Sequence, residues 1–563
     1  MFKYLSLFTL ISFTFANIIL KEPFRKNNDI STKIVNKPFE LLIKSNKNIT
    51  GTICSTIIDD SEKNIDYWHK NYFNNQKYSY QTKEKNPIFN SNTAQKFAQI
   101  KYIYVANKNI KCPTNEGVIY YSDSFAIRPK KFKIVNIPSQ GYAAENFPIK
   151  FLALDENNKP VKNYNEIKNI SFSININTPK GCKYGYFNTT PIFKNGVADT
   201  TANYTDVGPI SITILENNYE FSKIDRKDTN LKNRIIDPYT THIVIYPYSI
   251  QTYSHFPQSN IYYISSNLNK HYVMLTTILN VINKNNDIVK NFDKNCFANN
   301  VILKYLVKKH TNKQNFIGLY NINHIETNDS KFNRWNSKWI IPKQIFKNGK
   351  GKLQIKFNIF KDYKKPLSII KLNFRNLTAY TINQKKLYKE SLYKTISFYY
   401  LKLFTTDIYT DKNITSMPLY VLVYDKNKTF NSKKEKLINW YIYKDYYLNN
   451  IKILGITKGY KYTNNTKLKV NAKIIKKDQN ITLNIKNNKF KHFIIHIDTP
   501  DILWYSKFKN FNKNLNSYCT SHYCIEYKFN KFKKHTKEVK KGKFKGEEIK
   551  HSQTKHIGVK IYR

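Results

Sequence analysis

Glycine and proline are scarce in this chain, 15 and 18 of 563 residues. Their scarcity excludes collagen-like and Gly/Ser-rich low-complexity architectures and leaves few glycines for phosphate-cradling loops, which disfavours nucleotide chemistry. Acidic residues are also few, 39 against 93 Lys plus Arg, for a formal charge of +54. Beyond the N-terminus no apolar run reaches the roughly 18 positions a spanning helix needs, and residues 272–282 come nearest. The signatures G-x-S-x-G, H-E-x-x-H, G-x-x-x-x-G-K-[ST] and G-x-G-x-x-G are each missing, which weakens four large enzyme classes. Glycosidase carboxylates are set in space rather than sequence. The adjacent acids Asp59 and Asp60, or Glu547 and Glu548, would point to opposite faces of a strand and make poor acid–base pairs. The expectation is a protein without an enzymatic activity or cofactor.

What is present is core-forming material. Hydrophobic residues make up 41% and aromatics 15%, with 44 Tyr and 36 Phe, too many for a disordered chain. At about 150 residues per domain the length allows roughly three to five domains. The dominant pattern is short strands of period two, broken by Asn, Asp, Gly and Pro, as in residues 149–154, 171–176, 352–359, 395–404, 419–424, 467–474 and 480–485. Asn195-Gly196 and Asn348-Gly349 are hairpin-turn dipeptides. The pattern predicts an all-β protein of several β-sandwiches in series. Helix signals are sparse: residues 435–447 read as one short helix or an extended hydrophobic linker, and 66–75 as a loop. No short internal repeat is evident, which disfavours a solenoid or propeller.

The N-terminus, with Lys3, an apolar run over 4–15 and Thr14 before Ala16, reads as a secretory signal peptide cleaved after Ala16. Six cysteines follow it, Cys54, Cys112, Cys182, Cys296, Cys519 and Cys524, an even count that reads as disulfides in an exported chain. Cys519 with Cys524 would close a local loop and Cys54 with Cys112 would lie within the first domain. Cys182 with Cys296 would tie two domains together. A zinc site on Cys519, His522 and Cys524 has only three ligands. His492 and His496 share one face of a strand without an evident third ligand.

Polar, non-periodic runs at 222–234 and 383–391 read as linkers. The resulting plan is a signal peptide (1–16), an N-terminal β domain (17–125), three sandwiches (126–222, 235–383 and 391–498) and a basic C-terminal β segment (499–563). The charge makes nucleic acid and anionic glycan the obvious polyanionic partners. Lysine is nevertheless spread along the whole chain and uncharged asparagine is equally enriched, which fits drift of an AT-rich coding sequence better than a dedicated basic face. The basic run 528–546 reads as a solvated face. Tyrosine is abundant enough for a glycan-binding platform, but it also fills strands by propensity. Asn48, Asn188 and Asn480 begin Asn-x-Ser/Thr sequons of the kind Asn-rich chains produce by chance.

Four segments together resemble a family of exported immunoglobulin-like repeat proteins of Campylobacter-type bacteria, related to the MSHA pilus biogenesis protein MshQ. They are YYSDSFAIRPKKF (120–132), which follows Cys112 and carries Phe125, Ala126, Ile127, Arg128 and Pro129; NGVADTTANYTDVGPISITI (195–214), with Tyr204, Val207 and Gly208; NFDKNCFANNV (291–301), with Cys296; and HIDTPDILWYSKF followed by YCTSHYC (496–524). Tyr523 stands where the family has proline between its His and Cys. The resemblance implies immunoglobulin-like sandwiches and a cell-surface or pilus-associated role in adhesion or as an accessory, with surface or pilus components as partners. It also implies a location in the periplasm, on the outer surface or outside the cell. In FAIRP, Phe125 and Ile127 are expected to point inward, Arg128 to pair with a carboxylate such as Asp123 or with backbone carbonyls, and Pro129 to end the strand where a new domain begins.

Overall fold

The structure, a computed structural model, describes residues 17–529 apart from 24, 26–27, 79–85, 177–181, 310–315, 323–324, 330–335, 364, 406–407, 432–435, 444–450, 459–466, 478–479, 488 and 504–522. The expected signal peptide with Ala16, Cys519, His522, Glu547, Glu548 and the basic tail beyond 529 therefore lie outside the described residues. The fold is all-β and immunoglobulin-like, with four domains in series.

The first domain is a seven-stranded sheet around the long strand Leu42–Asp59, which pairs with Ile18–Lys21, His69–Tyr78 and Gln95–Val105. The disulfide Cys54–Cys112 ties this strand to the loop beyond Gln95–Val105. In the second domain the strands Lys131–Val135, Phe147–Leu154, Val197–Tyr204 and Phe187–Thr189 form one sheet, and Gln140–Tyr142, Tyr239–Tyr246, Gly208–Glu216 and Ile170–Ile176 the other. Third and fourth domains repeat this plan over 249–399 and 401–529. In all four, a short early strand runs parallel to the last: Lys33–Ile34 beside Phe125–Arg128, Gln140–Tyr142 beside Tyr239–Tyr246, Ile261–Tyr263 beside Tyr388–Tyr399, and Ile408–Thr410 beside Tyr523–Phe529.

Alternation makes these strands. Phe147, Ile149, Phe151 and Ala153 point inward, while Pro148 is exposed and Lys150 and Leu152 are half-buried on the other face. At both Asn-Gly dipeptides the two residues have positive φ (47° and 76° at 195–196, 49° and 78° at 348–349), the geometry of a tight two-residue hairpin turn. A side chain at Gly196 would also strike the backbone of Val161, 2.5 Å from its placed Cβ. One apolar core runs through the first three domains and a second cluster fills the fourth.

Several sequence expectations need correcting. Residues 69–78 are strand, not loop: the aperiodic look of 66–75 arises because Asn71 and Phe73 are buried among polar neighbours. The region read as a helix over 435–447 contains the strand Lys436–Ile442, half of a hairpin with Ile414–Asn431. The run 222–234 is not a linker. It forms a 3-10 turn, Glu220–Arg226, packed on the first domain, and a one-turn helix, Leu231–Arg234, with Ser222, Asp225 and Arg234 buried. The strand that follows closes the second domain, moving its end from 222 to 246. Residues 383–391 likewise lead into the closing strand of the third domain, and Tyr523–Phe529 is the closing strand of the fourth rather than part of a separate segment. The first boundary falls at Pro129 rather than after Phe125, because Phe125–Arg128 pairs within the first sheet. All four residues of that strand are buried, not only Phe125 and Ile127, since the 3-10 turn covers the opposite face.

Candidate functional site

Three junctions and one groove hold the chemistry that side-chain packing alone does not explain. Two junctions share a backbone device. The turn after Phe147–Leu154 donates the Glu156 amide to the Val35 carbonyl of the first domain (3.2 Å), and the matching turn of the third domain donates the Lys284 amide to the Ala143 carbonyl of the second (2.9 Å).

At the first junction Arg128 is buried and donates to the carbonyls of Asn233 (Nε, 2.9 Å), Pro129 (2.8 Å) and Lys130 (3.2 Å). Its partners are backbone carbonyls. Asp123, the expected carboxylate partner, instead accepts the Ile30 amide at 2.8 Å. The fully buried Asp225 accepts from the Thr32 hydroxyl and the Ala126 amide, joining the 3-10 turn of the second domain to two strands' ends in the first. Burial pushes the carboxyls of Asp225 and Glu216 up to about 7 and that of Asp123 up to about 6. One oxygen of each is buried without a hydrogen-bond partner among the described residues.

The second junction is covalent. Cys182 of the second domain is bonded to Cys296 of the third. Beside it Asp206, its carboxyl raised by burial, accepts the amides of Val207, Lys290 and Asn291. Gly208, at φ 125°, lets the Phe297 ring approach to 2.3 Å from where a Cβ would sit. Tyr204, the other residue of that segment singled out by the resemblance, is buried and accepts the Gly185 amide through its hydroxyl.

At the third junction the ammonium of Lys361 is buried. It donates to the carbonyls of Leu401 (3.3 Å), Asp501 (3.0 Å) and Ile502 (2.5 Å), which accounts for its three protons, and lies 4.9 Å from the centre of the Tyr400 ring. Burial pushes its pKa down to about 7, against the pull of Asp501. Ser265 of the third domain donates to the Asp501 carboxylate at 2.7 Å.

His492 and His496 lie on the strand His492–Asp498 but meet different partners: His492 faces Glu526, whereas the buried His496 bonds Thr457 and lies 3.5 Å from Cys524. Among the described residues no group of three His, Cys, Asp or Glu is placed to hold a metal ion. Cys524 is a disulfide cysteine; Cys519, its expected partner, lies outside the described residues. Among the described residues no helix is long and apolar enough to cross a membrane, which says nothing of a β-barrel.

An open polar groove of about 740 Å³ lies where the first two domains meet. Its walls are held: the Ala94 amide donates to the Lys162 carbonyl (2.9 Å), Asn163 Nδ2 returns a bond to the Ala94 carbonyl (3.0 Å), and Asn36 Nδ2 donates to Asp155 (2.6 Å). Asp66 organises one side, accepting the Tyr67 and Asn90 amides and facing His69 at 3.1 Å. Sequence reasoning missed this groove because its asparagines looked like compositional drift. It missed Lys361 because one lysine among 93 basic residues carries no mark beyond its aromatic neighbours Phe360 and Tyr363.

No family model matches the chain, and no curated protein matches it in sequence. Solved structures do align with it. Invasin, a bacterial integrin-binding protein, aligns at a TM-score of 0.33 and 8% identity over 92% of this chain and 79% of its own. The Escherichia coli adhesin FdeC aligns at 0.25 and 8% over 68% and 95%, and the D1–D4 ectodomain of ICAM-5 at 0.24 and 6% over 84% and 100%.

Proposed function

We propose that the protein is an exported, non-enzymatic surface protein whose serial immunoglobulin-like domains serve adhesion, or a structural role beside a pilus or secretion system. The observation that carries this reading is the Cys182–Cys296 bond across a domain boundary. Disulfides form and persist in oxidising compartments, and one that crosses a boundary fixes two domains in one mutual orientation. The same purpose is served by the buried Arg128, Asp225 and Lys361 at the flanking junctions. Buried, bonded polar groups spent on holding domains in place suit a chain that spans distance or transmits force more than one that closes around a substrate. The resemblance of residues 120–132 to the MshQ-related family supports the pilus arm of the proposal, with surface or pilus components as partners.

Protease treatment of intact and lysed cells of the native host tests it. Digestion on intact cells is the expected outcome; protection until lysis would confine the protein to the periplasm and end the adhesion reading. The +54 charge favours a second reading, capture of anionic glycan or nucleic acid. That reading predicts retention on heparin that is lost with salt and with removal of residues after Cys524.

A further inference from the structure

The groove between the first and second domains has the composition of a carbohydrate subsite, and we infer that it binds an uncharged glycan. The side-chain amides of Asn64, Asn90 and Asn92, all exposed at its rim, have no partner among the described residues. An amide offers two donors and an acceptor on one rigid plane, the complement of a sugar hydroxyl, which both donates and accepts. Asp59 adds an acceptor. Its Oδ1 takes the Ser61 and Lys63 amides, and its Oδ2 has no bond to a described residue. Tyr67 supplies the apolar part. Its residue is 84% exposed and lines the groove, and its backbone amide is anchored by the buried Asp66 carboxylate. An exposed aromatic ring at a polar rim offers a sugar's C–H face a stacking surface.

Charge separates this ligand class from a polyanion. Among the described residues Lys63 is the one cation lining the groove, against the carboxylates of Asp59 and Asp66. In a chain of charge +54 that makes the groove locally non-cationic, so a phosphate- or sulfate-bearing ligand would be drawn elsewhere. The volume lies within the range of small-ligand sites, and the cross-domain bonds of Ala94, Asn163 and Asn36 fix its walls before binding. Sites between domains are a recurrent location for ligands.

The test is a glycan array carrying neutral oligosaccharides (maltose, lactose, mannobiose and N-acetyllactosamine series) beside sulfated and uronic-acid glycans. It is probed with the full chain in about 0.5 M salt, which screens the general charge. The expected result is binding to at least one neutral series. Tyr67→Ala and Asn92→Ala should each weaken it about tenfold with unchanged melting temperature, both side chains being exposed. Absence of neutral binding, binding confined to the charged glycans, or neutral binding that survives both substitutions would each overturn the inference. None of these results bears on surface exposure, so the function proposed above stands or falls separately.

Discussion

The first and last junctions handle buried charge differently. Between the first and second domains groups of both signs are buried, Arg128 and Arg234 with the carboxyls of Asp225 and Glu216 and half-buried Asp123 beside them, and each carboxyl has an oxygen that meets no partner among the described residues. Between the third and fourth the buried group is an ammonium, Lys361, with a carbonyl for every proton. The packing differs in the same sense. The first junction docks a short turn and a 3-10 turn, whereas at the last a long hairpin of the fourth domain lays Trp440 within 6.3 Å of Tyr400 and brings Tyr443 within 5.4 Å of Tyr399. A junction can therefore be made specific by buried groups of either sign. The middle junction adds a disulfide to a buried carboxyl of its own, Asp206.

The largest effect should come from removing that reference. Replacing Cys182 and Cys296 together by serine opens a bridge that spans 114 residues of sequence. For loops near that length chain entropy alone suggests a loss of about 4–5 kcal/mol. Calorimetry should then show the one cooperative unit resolving into two transitions, the first two domains separating from the last two. A single transition at unchanged temperature would mean that Asp206 and its three amides suffice.

Next is Lys361→Met, which keeps the apolar stem and strands three carbonyls without a donor. A loss of about 3 kcal/mol is expected, the order seen when one partner of a buried charged interaction is removed. The effect should be confined to the fourth domain's docking, read as faster proteolysis between residues 399 and 408 with the first two domains unaffected. Arg128→Ala comes third, at about 2 kcal/mol, since it removes charged donors from the Asn233, Pro129 and Lys130 carbonyls. Arg128→Lys should recover less than half, because an ammonium cannot span the fork. Unchanged melting of Arg128→Ala would show that apolar packing alone closes this junction.

The strands were legible in the sequence because burial there follows a period of two, and the Asn-Gly turns because few other residues accept positive φ twice running. The junctions were not. Residues 222–234 look like a linker by every local measure, and only the first domain, folded nearly a hundred residues earlier in the chain, turns Asp225 into a buried ligand of Thr32 and Ala126. Arg128 was visible as a residue that needs acceptors, but which acceptors depends on a helix more than a hundred positions away. The groove was hidden for a related reason: Asn64, Asn90, Asn92 and Asn163 are unremarkable singly, and it takes the first domain's fold to gather the first three and docking of the second domain to add Asn163.

The smallest effect is also the one that reads the comparison most directly. A carboxyl whose folded pKa is raised from near 4 to about 7, as for Asp225, binds its proton more tightly folded than unfolded. Its stabilising contribution is therefore complete below about pH 4 and is lost as pH rises toward 7. Asp123, raised to about 6, and Glu216, raised to about 7, act in the same direction. The depressed Lys361 runs the other way, complete above its unfolded pKa of 10.5 and lost as pH falls toward 7. Hydrogen exchange corrected for its intrinsic pH dependence should thus show the Ala126 amide, which donates to Asp225, better protected at pH 5 than at pH 8. Amides around Asp501–Leu503 should show the reverse between pH 9.5 and pH 7. Asp225→Asn keeps an acceptor for Thr32 and Ala126 but cannot ionise. It should flatten the first slope in part, leaving the share of Asp123 and Glu216, and leave the second untouched. Equal slopes in the variant and the parent would place the proton elsewhere at the first junction, on Glu216 beside Arg128.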